Sequence, residues 1–196
     1  TRDVVFLGEG DFATVTLQGV EITDAKGLPV EAKVQRITWD PVMVEKGGYK
    51  HFMLKEIHEQ PRAVRDTTVG RVSRDTGKVI LDEMKMTERD FLKVDQVRLI
   101  ACGTSWHAAL IGKFMIEGLA RVPVEVDYGS EYRYREPVVP PNTLGIMITQ
   151  SGETADTLAA QREITLQGAK NIAICNGMGS MVTRESEGVL YTHAGP

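Results

Sequence analysis

A chain of 196 residues, 42% apolar and 26% charged, is long enough to bury a core and too evenly composed to be disordered or fibrous. The formal net charge of −4, with no run of Lys and Arg, argues against a nucleic-acid partner, whose phosphates would demand a basic track. No apolar stretch approaches the roughly 20 residues that span a bilayer, and the opening Thr1-Arg2-Asp3-Val4 is unlike the apolar segment of a secretion signal, so a soluble cytoplasmic protein without membrane contact is expected.

Residues 1–48 read as short strands over 4–7, 13–17, 20–22 and 32–39, punctuated by Gly8, Gly10, Asp24, Gly27, Pro29 and Gly47-Gly48. Short strands with few aromatics make a small antiparallel piece and a poor independent core, as expected of part of a larger β-containing domain. From Tyr49 the texture changes. Phe52, Met53, Ile57 and Val64 recur at helical intervals, which predicts an amphipathic helix that runs to Gln60 and resumes or kinks at Pro61. Residues 71–80, centred on Asp75-Thr76-Gly77, read as a hairpin or extended loop, and Thr87 as the N-cap of a short turn at 88–92.

Beyond Thr87, strand and helix alternate. Strands are predicted over 97–101, 122–126, 144–149, 171–175 and 188–192, with helices over 105–120, 154–167 and 180–185. Apolar strands joined by crossover helices imply an α/β fold with a parallel sheet covered on both faces. Cys102 and Cys175 each close an apolar run, where buried free thiols at strand ends fit better than a disulfide or a metal site.

The most informative stretch is Thr149-Gln150-Ser151-Gly152-Glu153-Thr154, which follows the apolar run Leu144-Gly145-Ile146-Met147-Ile148 and precedes a helical pattern. A strand-to-helix junction exposes unpaired N–H groups at the positive end of a helix dipole, and hydroxyls add neutral donors that suit a phosphate ester. The first strand of this half ends similarly, in Cys102-Gly103-Thr104-Ser105. In a parallel sheet both loops lie at the carboxyl edge, where ligands bind beside a topological switch point. Gly103 and Gly152 allow close approach or positive φ, and the Gln150 amide can bond sugar hydroxyls through both ends. The competing reading of each loop alone is an ordinary N-cap, with Thr154 capping its helix.

Other residues suit structural roles at least as well. His107 lies near Thr104 but also fits helix packing, and His51 and His58, seven apart, would share a helix face without metal-pair spacing. Glu153 is a candidate base, although a carboxylate just inside a helix N-terminus is favourable in itself. The run Glu131-Tyr132-Arg133-Tyr134-Arg135-Glu136 suits pairing with an anion or another subunit, and equally a solvated turn.

Ala101-Cys102-Gly103-Thr104-Ser105, Ser130-Glu131-Tyr132-Arg133-Tyr134-Arg135, Gln150-Ser151-Gly152-Glu153-Thr154-Ala155-Asp156-Thr157 and Ala173-Ile174-Cys175-Asn176 together resemble the sugar isomerase (SIS) domain of the glucosamine-6-phosphate synthase family. These are the glutamine-dependent, isomerising fructose-6-phosphate aminotransferases. Upstream, Gly8-Glu9-Gly10-Asp11 resembles the tail of their glutaminase domain, while Tyr49-Lys50-His51-Phe52-Met53, Lys55-Glu56-Ile57 and Glu59-Gln60-Pro61 resemble their connector. The resemblance implies a glutaminase tail over 1–48, a connector over 49–95 and a truncated first SIS domain over 96–196. It implies that Thr104, Ser105, Thr149, Gln150, Ser151 and Thr154 bind the phosphosugar, chiefly its phosphate. Members often carry Ser where this chain has Thr149, whose added methyl restricts its rotamers.

The implied reaction moves the amide nitrogen of glutamine to fructose 6-phosphate, giving glucosamine 6-phosphate and glutamate, with no metal or nucleotide cofactor and in a cytoplasmic homodimer. The family's catalytic N-terminal cysteine has no counterpart before Cys102, and its isomerisation residues come from a second SIS domain. No catalytic residue is therefore expected in this chain, which reads as an internal fragment, inactive alone, of a larger parent. Two rivals stand beside this: a phosphosugar-sensing regulator with the same fold and no catalysis, and a nucleotide-binding Rossmann domain. The second would need Gly-x-Gly-x-x-Gly after the first strand, and Cys102-Gly103-Thr104-Ser105-Trp106-His107 does not supply it.

Overall fold

A computed structural model describes residues 3–36 and 45–195, in two compact units, one ending at Gly47 and the other spanning Gly48–Gly195. The first unit carries β1 (Asp3–Val5), β2 (Phe12–Thr16), β3 (Gly19–Thr23) and β4 (Val34–Arg36), paired antiparallel as β1 with β4 and β2 with β3. Asp24 closes the turn after β3, its Oδ1 accepting from the N–H groups of Lys26 at 2.8 Å and Leu28 at 2.9 Å. Of the described residues here only Ile22 is buried, so the expectation of a poor independent core holds. The expected strand over 32–39 lies partly outside the described residues.

The second unit opens with α1 (Phe52–Thr68), which runs unbroken through Pro61. The helix therefore does not end at Gln60. Pro61 cannot serve the Ile57 carbonyl, but Ile57 sits at an exposed position where water is available as the partner. His51 precedes the helix as its N-cap and the His58 ring stacks on Tyr49 at 5.3 Å, so the two histidines do not form a helix-face pair. Residues 71–80 form the hairpin, with Ser73 N–H donating to the Lys78 carbonyl at 2.9 Å and Ile80 N–H to that of Arg71 at 2.8 Å. Thr87 caps α2 (Glu88–Phe91) in a reciprocal capping box with Asp90.

The rest is a layered α/β domain. Its elements are β5 (Gln96–Ala101), α3 (Thr104–Ala120), β6 (Val124–Tyr128), α4 (Gly129–Tyr132), β7 (Thr143–Thr149), α5 (Ala155–Leu166), β8 (Lys170–Cys175), α6 (Met181–Arg184) and β9 (Val189–Tyr191). The strands form one parallel sheet in the order β6-β5-β7-β8-β9. Strand order reverses at β5, so right-handed crossovers send α3 and α5 to opposite faces. The two-residue alternation of the strands divides the core accordingly. Val97, Leu99, Leu144, Ile146 and Ile172 pack with Ala109 of α3, whereas Ile100, Met147 and Ala173 pack with Ala160 and Ile164 of α5.

Two opposite charges, Arg98 of β5 and Asp127 of β6, are buried in the sheet. The Arg98 side chain is 4% exposed, its guanidinium 2.6 Å from Glu125 Oε2 and donating to the Val138 carbonyl at 3.2 Å, with Asp127 at 4.0 Å. Arg135 also bonds Asp127, at 2.7 Å, and both guanidiniums lie over the ring of the fully buried Tyr132. Burial pushes the Asp127 carboxyl above the usual carboxylate range, against the pull of Arg135 and Arg98. Within the Glu131-to-Glu136 run, Arg133 pairs with Asp156 at 2.9 Å. The arginines of that run thus pair within the chain, Arg133 with Asp156 and Arg135 with Asp127.

Candidate functional site

Strand register brings the two hydroxyl loops together. Ala101 pairs with Ile148, so Cys102, directly after β5, comes beside Thr149, the last residue of β7, about 4.8 Å apart by ordinary sheet spacing. The Thr157 hydroxyl donates to Cys102 Sγ at 3.7 Å, linking the first turn of α5 to the end of β5. This is the carboxyl edge of the sheet, at the reversal of strand order. The groove lined by Met86, Asp90, Lys93, Asn142 and Lys170 lies at the opposite edge and holds none of the candidate residues.

Both helix starts are left open. The N-cap of α3 is Gly103, at φ 58°, which has no side chain to offer, and Thr154, the N-cap of α5, makes no side-chain capping bond. The rival reading, that Thr154 serves only to cap its helix, is not what its side chain does. The first N–H groups of both helices are therefore without side-chain caps, at the positive ends of helices 17 and 12 residues long. Thr104 and Thr154 are exposed and Ser105 half-buried, and their hydroxyls have no hydrogen-bond partner among the described residues.

The turn between β7 and α5 is rigid. Thr149 is 8% exposed and its Oγ1 accepts from Gly152 N–H at 3.2 Å, so its hydroxyl braces the turn from within. Ser151 Oγ accepts from Glu153 N–H at 3.2 Å and keeps its own proton to donate. The Gln150 carbonyl accepts from the N–H groups of Asn176 at 3.3 Å and Gly177 at 2.9 Å, while its amide side chain is exposed. Gly152, at φ 71°, packs so tightly that an added Cβ would lie 1.9 Å from Ser180 Oγ and 2.9 Å from Cys175 Sγ. Burial pushes the Cys175 thiol up and keeps it protonated beside the turn.

Glu153 and His107 find structural employment. Glu153 Oε1 accepts from Met181 N–H at 2.9 Å and so serves α6, not its own helix. The His107 ring lies 3.2 Å from the Gly103 carbonyl and edge-on to Trp106, which stacks on Tyr128 at 4.4 Å. Cys102 is partly exposed and Cys175 buried, both free. Sequence reasoning gave no role in bracing the turn to Asn176, Gly177 and Ser180, which follow β8 and lead into α6. Their signal was position alone, directly after a buried strand that neighbours the loop.

Comparison with known proteins agrees with this fold. Residues 90–196 match the SIS domain. Over its whole length the chain is 52% identical to the glutamine–fructose-6-phosphate aminotransferase (isomerizing) of Symbiobacterium thermophilum and 51% identical to that of Methanosarcina acetivorans. It spans about a third of these curated relatives, 32% of each. Among solved structures, the C-terminal domain of the Francisella tularensis glucosamine-fructose-6-phosphate aminotransferase superposes with a TM-score of 0.70 at 42% identity, over 78% of this chain and 42% of that one. A five-stranded parallel sheet, its two hydroxyl loops at the order reversal and the match over residues 90–196 lead to one assignment: the chain belongs to the SIS domain family.

Proposed function

We propose that this chain is the phosphosugar-binding part of an isomerising glutamine–fructose-6-phosphate aminotransferase. Its whole protein would transfer the amide nitrogen of glutamine to fructose 6-phosphate, releasing glutamate and glucosamine 6-phosphate. The observation that carries the reading is the meeting of two uncapped helix N-termini, each with unengaged hydroxyls, at the reversal of strand order. A phosphate dianion suits such a place: Thr104, Ser105, Ser151 and Thr154 donate hydroxyl protons, and backbone N–H groups and the helix dipoles supply the rest. Thr149 shapes the turn and has its own proton left for the ligand, while Gln150 offers its amide to the sugar. Residues 1–48 are read as the glutaminase tail, 49–95 as the connector and 96–196 as the first SIS domain, in a cytoplasmic homodimer. The bond-making groups lie elsewhere in the protein, and no metal or nucleotide is needed for the phosphate contacts.

The names of relatives at 52% and 51% identity favour this over a non-catalytic regulator. The test has two parts. Full-length protein supplied with glutamine and fructose 6-phosphate should form glucosamine 6-phosphate, followed by mass spectrometry; binding without product would favour the regulator. In calorimetric titration, Ser151→Ala and Thr154→Ala should each weaken fructose 6-phosphate binding by about 10–100-fold, the loss of one charge-assisted hydrogen bond. Unchanged affinity in both variants, or equal affinity for unphosphorylated fructose, would return these residues to a purely structural role.

A further inference from the structure

We propose that Asn176 is a positioning residue of this site, an inference that rests on the phosphosugar reading above. It holds the Gln150-Ser151 turn and the segment after β9 in a single arrangement without itself being assigned a ligand contact.

Asn176 follows directly on β8, whose last residue, Cys175, pairs with Thr149. Its backbone faces the turn: Asn176 N–H and Gly177 N–H converge on the Gln150 carbonyl, at 3.3 and 2.9 Å. The packing leaves no slack, because a Cβ at Gly177 would lie 2.3 Å from the Ser151 carbonyl oxygen. Its side chain serves a different part of the chain. Oδ1 accepts from Thr192 Oγ1 at 2.9 Å and from Ala194 N–H at 2.8 Å, and Nδ2 donates to the Gly195 carbonyl at 2.6 Å. The Thr192 carbonyl in turn receives the Thr67 hydroxyl of α1.

These are irregular residues beyond the last strand, and the Asn176 amide does for Ala194 and Gly195 what a ladder partner does inside a sheet. At 7% exposure the amide head is committed to those bonds. Only a primary amide supplies both an acceptor and a donor at this length; aspartate keeps the acceptors and sets an oxygen against the Gly195 carbonyl. Removing the head frees residues 193–195 on one side of the Asn176 backbone, while Thr192 keeps its N–H bond to the Cys175 carbonyl at 3.0 Å. That backbone then shifts beneath Gln150, and donors that must meet a phosphate within tenths of an ångström are displaced although every hydroxyl is still present.

The test titrates fructose 6-phosphate into the full-length protein and into Asn176→Ala, Asn176→Asp, Ser151→Ala and the Asn176→Ala/Ser151→Ala double variant, each well below its own melting temperature. Asn176→Ala should weaken binding about tenfold, and Asn176→Asp by less. The double variant should fall short of the product of the single effects, because both act through one turn. A role confined to stability lowers the melting temperature and leaves affinity unchanged, and that result overturns the proposal; so does full multiplicativity. Should Asn176→Ala fail to fold, wild-type affinity in Asn176→Asp overturns it equally. If Ser151→Ala is weakened and the Asn176 variants are not, this inference alone is lost; if Ser151→Ala binds normally, the phosphosugar reading falls and this inference with it.

Discussion

Gly152→Ala should abolish measurable fructose 6-phosphate binding and destabilise the protein by about 2–5 kcal/mol, combining a left-handed backbone penalty with overpacking. The first share comes from φ 71°, which an alanine adopts only with strain. The second comes from the new Cβ, which would sit 1.9 Å from Ser180 Oγ and 2.5 Å from Ser180 Cβ. A rotated hydroxyl would relieve the first contact but not the second, since Ser180 Cβ is fixed to the backbone at the start of α6. The Gly152 carbonyl also accepts from Val182 N–H at 3.1 Å, so any retreat of the turn disturbs α6. Urea unfolding measures the stability change and titration the affinity. Adding Ser180→Gly should recover the part of the steric share that Ser180 causes and leave the backbone share and the contact with Cys175 Sγ at 2.9 Å; a Gly152→Ala protein with wild-type stability and affinity would mean that the turn is not locked as described.

Arg98→Ala should cost about 2–4 kcal/mol at neutral pH, below the full loss for a buried ion pair, because Glu125 is half exposed and Asp127 keeps Arg135. Its guanidinium serves Glu125, the Val138 carbonyl and the neighbourhood of Asp127. Arg135 remains on Asp127 in the variant, but its side chain is half exposed and cannot occupy the vacated volume. The pH dependence distinguishes lost charge pairing from lost packing. Asp127 already titrates above an ordinary carboxyl, first because it is buried, with Arg135 and Arg98 pulling the other way. A carboxyl raised in the fold contributes stability below its unfolded pKa and loses that contribution as pH rises through the folded value. Without Arg98 the folded value rises further, so the deficit relative to the wild type should shrink as pH falls from 7 toward about 4. A deficit that stays constant across that window would assign the whole effect to packing around Tyr132.

The parallel sheet was legible because its inner strands β5, β7 and β8 are largely buried and read as mostly apolar runs, with Gly103 and Gly152 shortly after two of them end. Thr87 was legible for a similar reason: a cap acts on the three residues after it. Contacts across long sequence separations were not. Glu153 reaches Met181, Asn176 reaches Gly195 and Arg98 reaches Val138, and nothing in the local pattern around any of them announces its partner. At Pro61 a strong local rule against helix interiors is met within a continuous 17-residue helix. At the site, residue types and edge were readable, whereas the inward turn of Thr149 and the bracing from β8 needed coordinates.

The residues gathered at the sheet's carboxyl edge, Thr104, Ser105, Thr149, Gln150, Ser151 and Thr154, include no acid and no base. The nearby Arg133 and Arg135 are engaged by Asp156 and Asp127. On the phosphosugar reading proposed above, a cradle built from neutral groups has no titration of its own, so its acceptance of a phosphate ester would follow the ionisation of the ester, whose second proton leaves near pH 6 by the usual value. Acidity acts on such a complex through the guest.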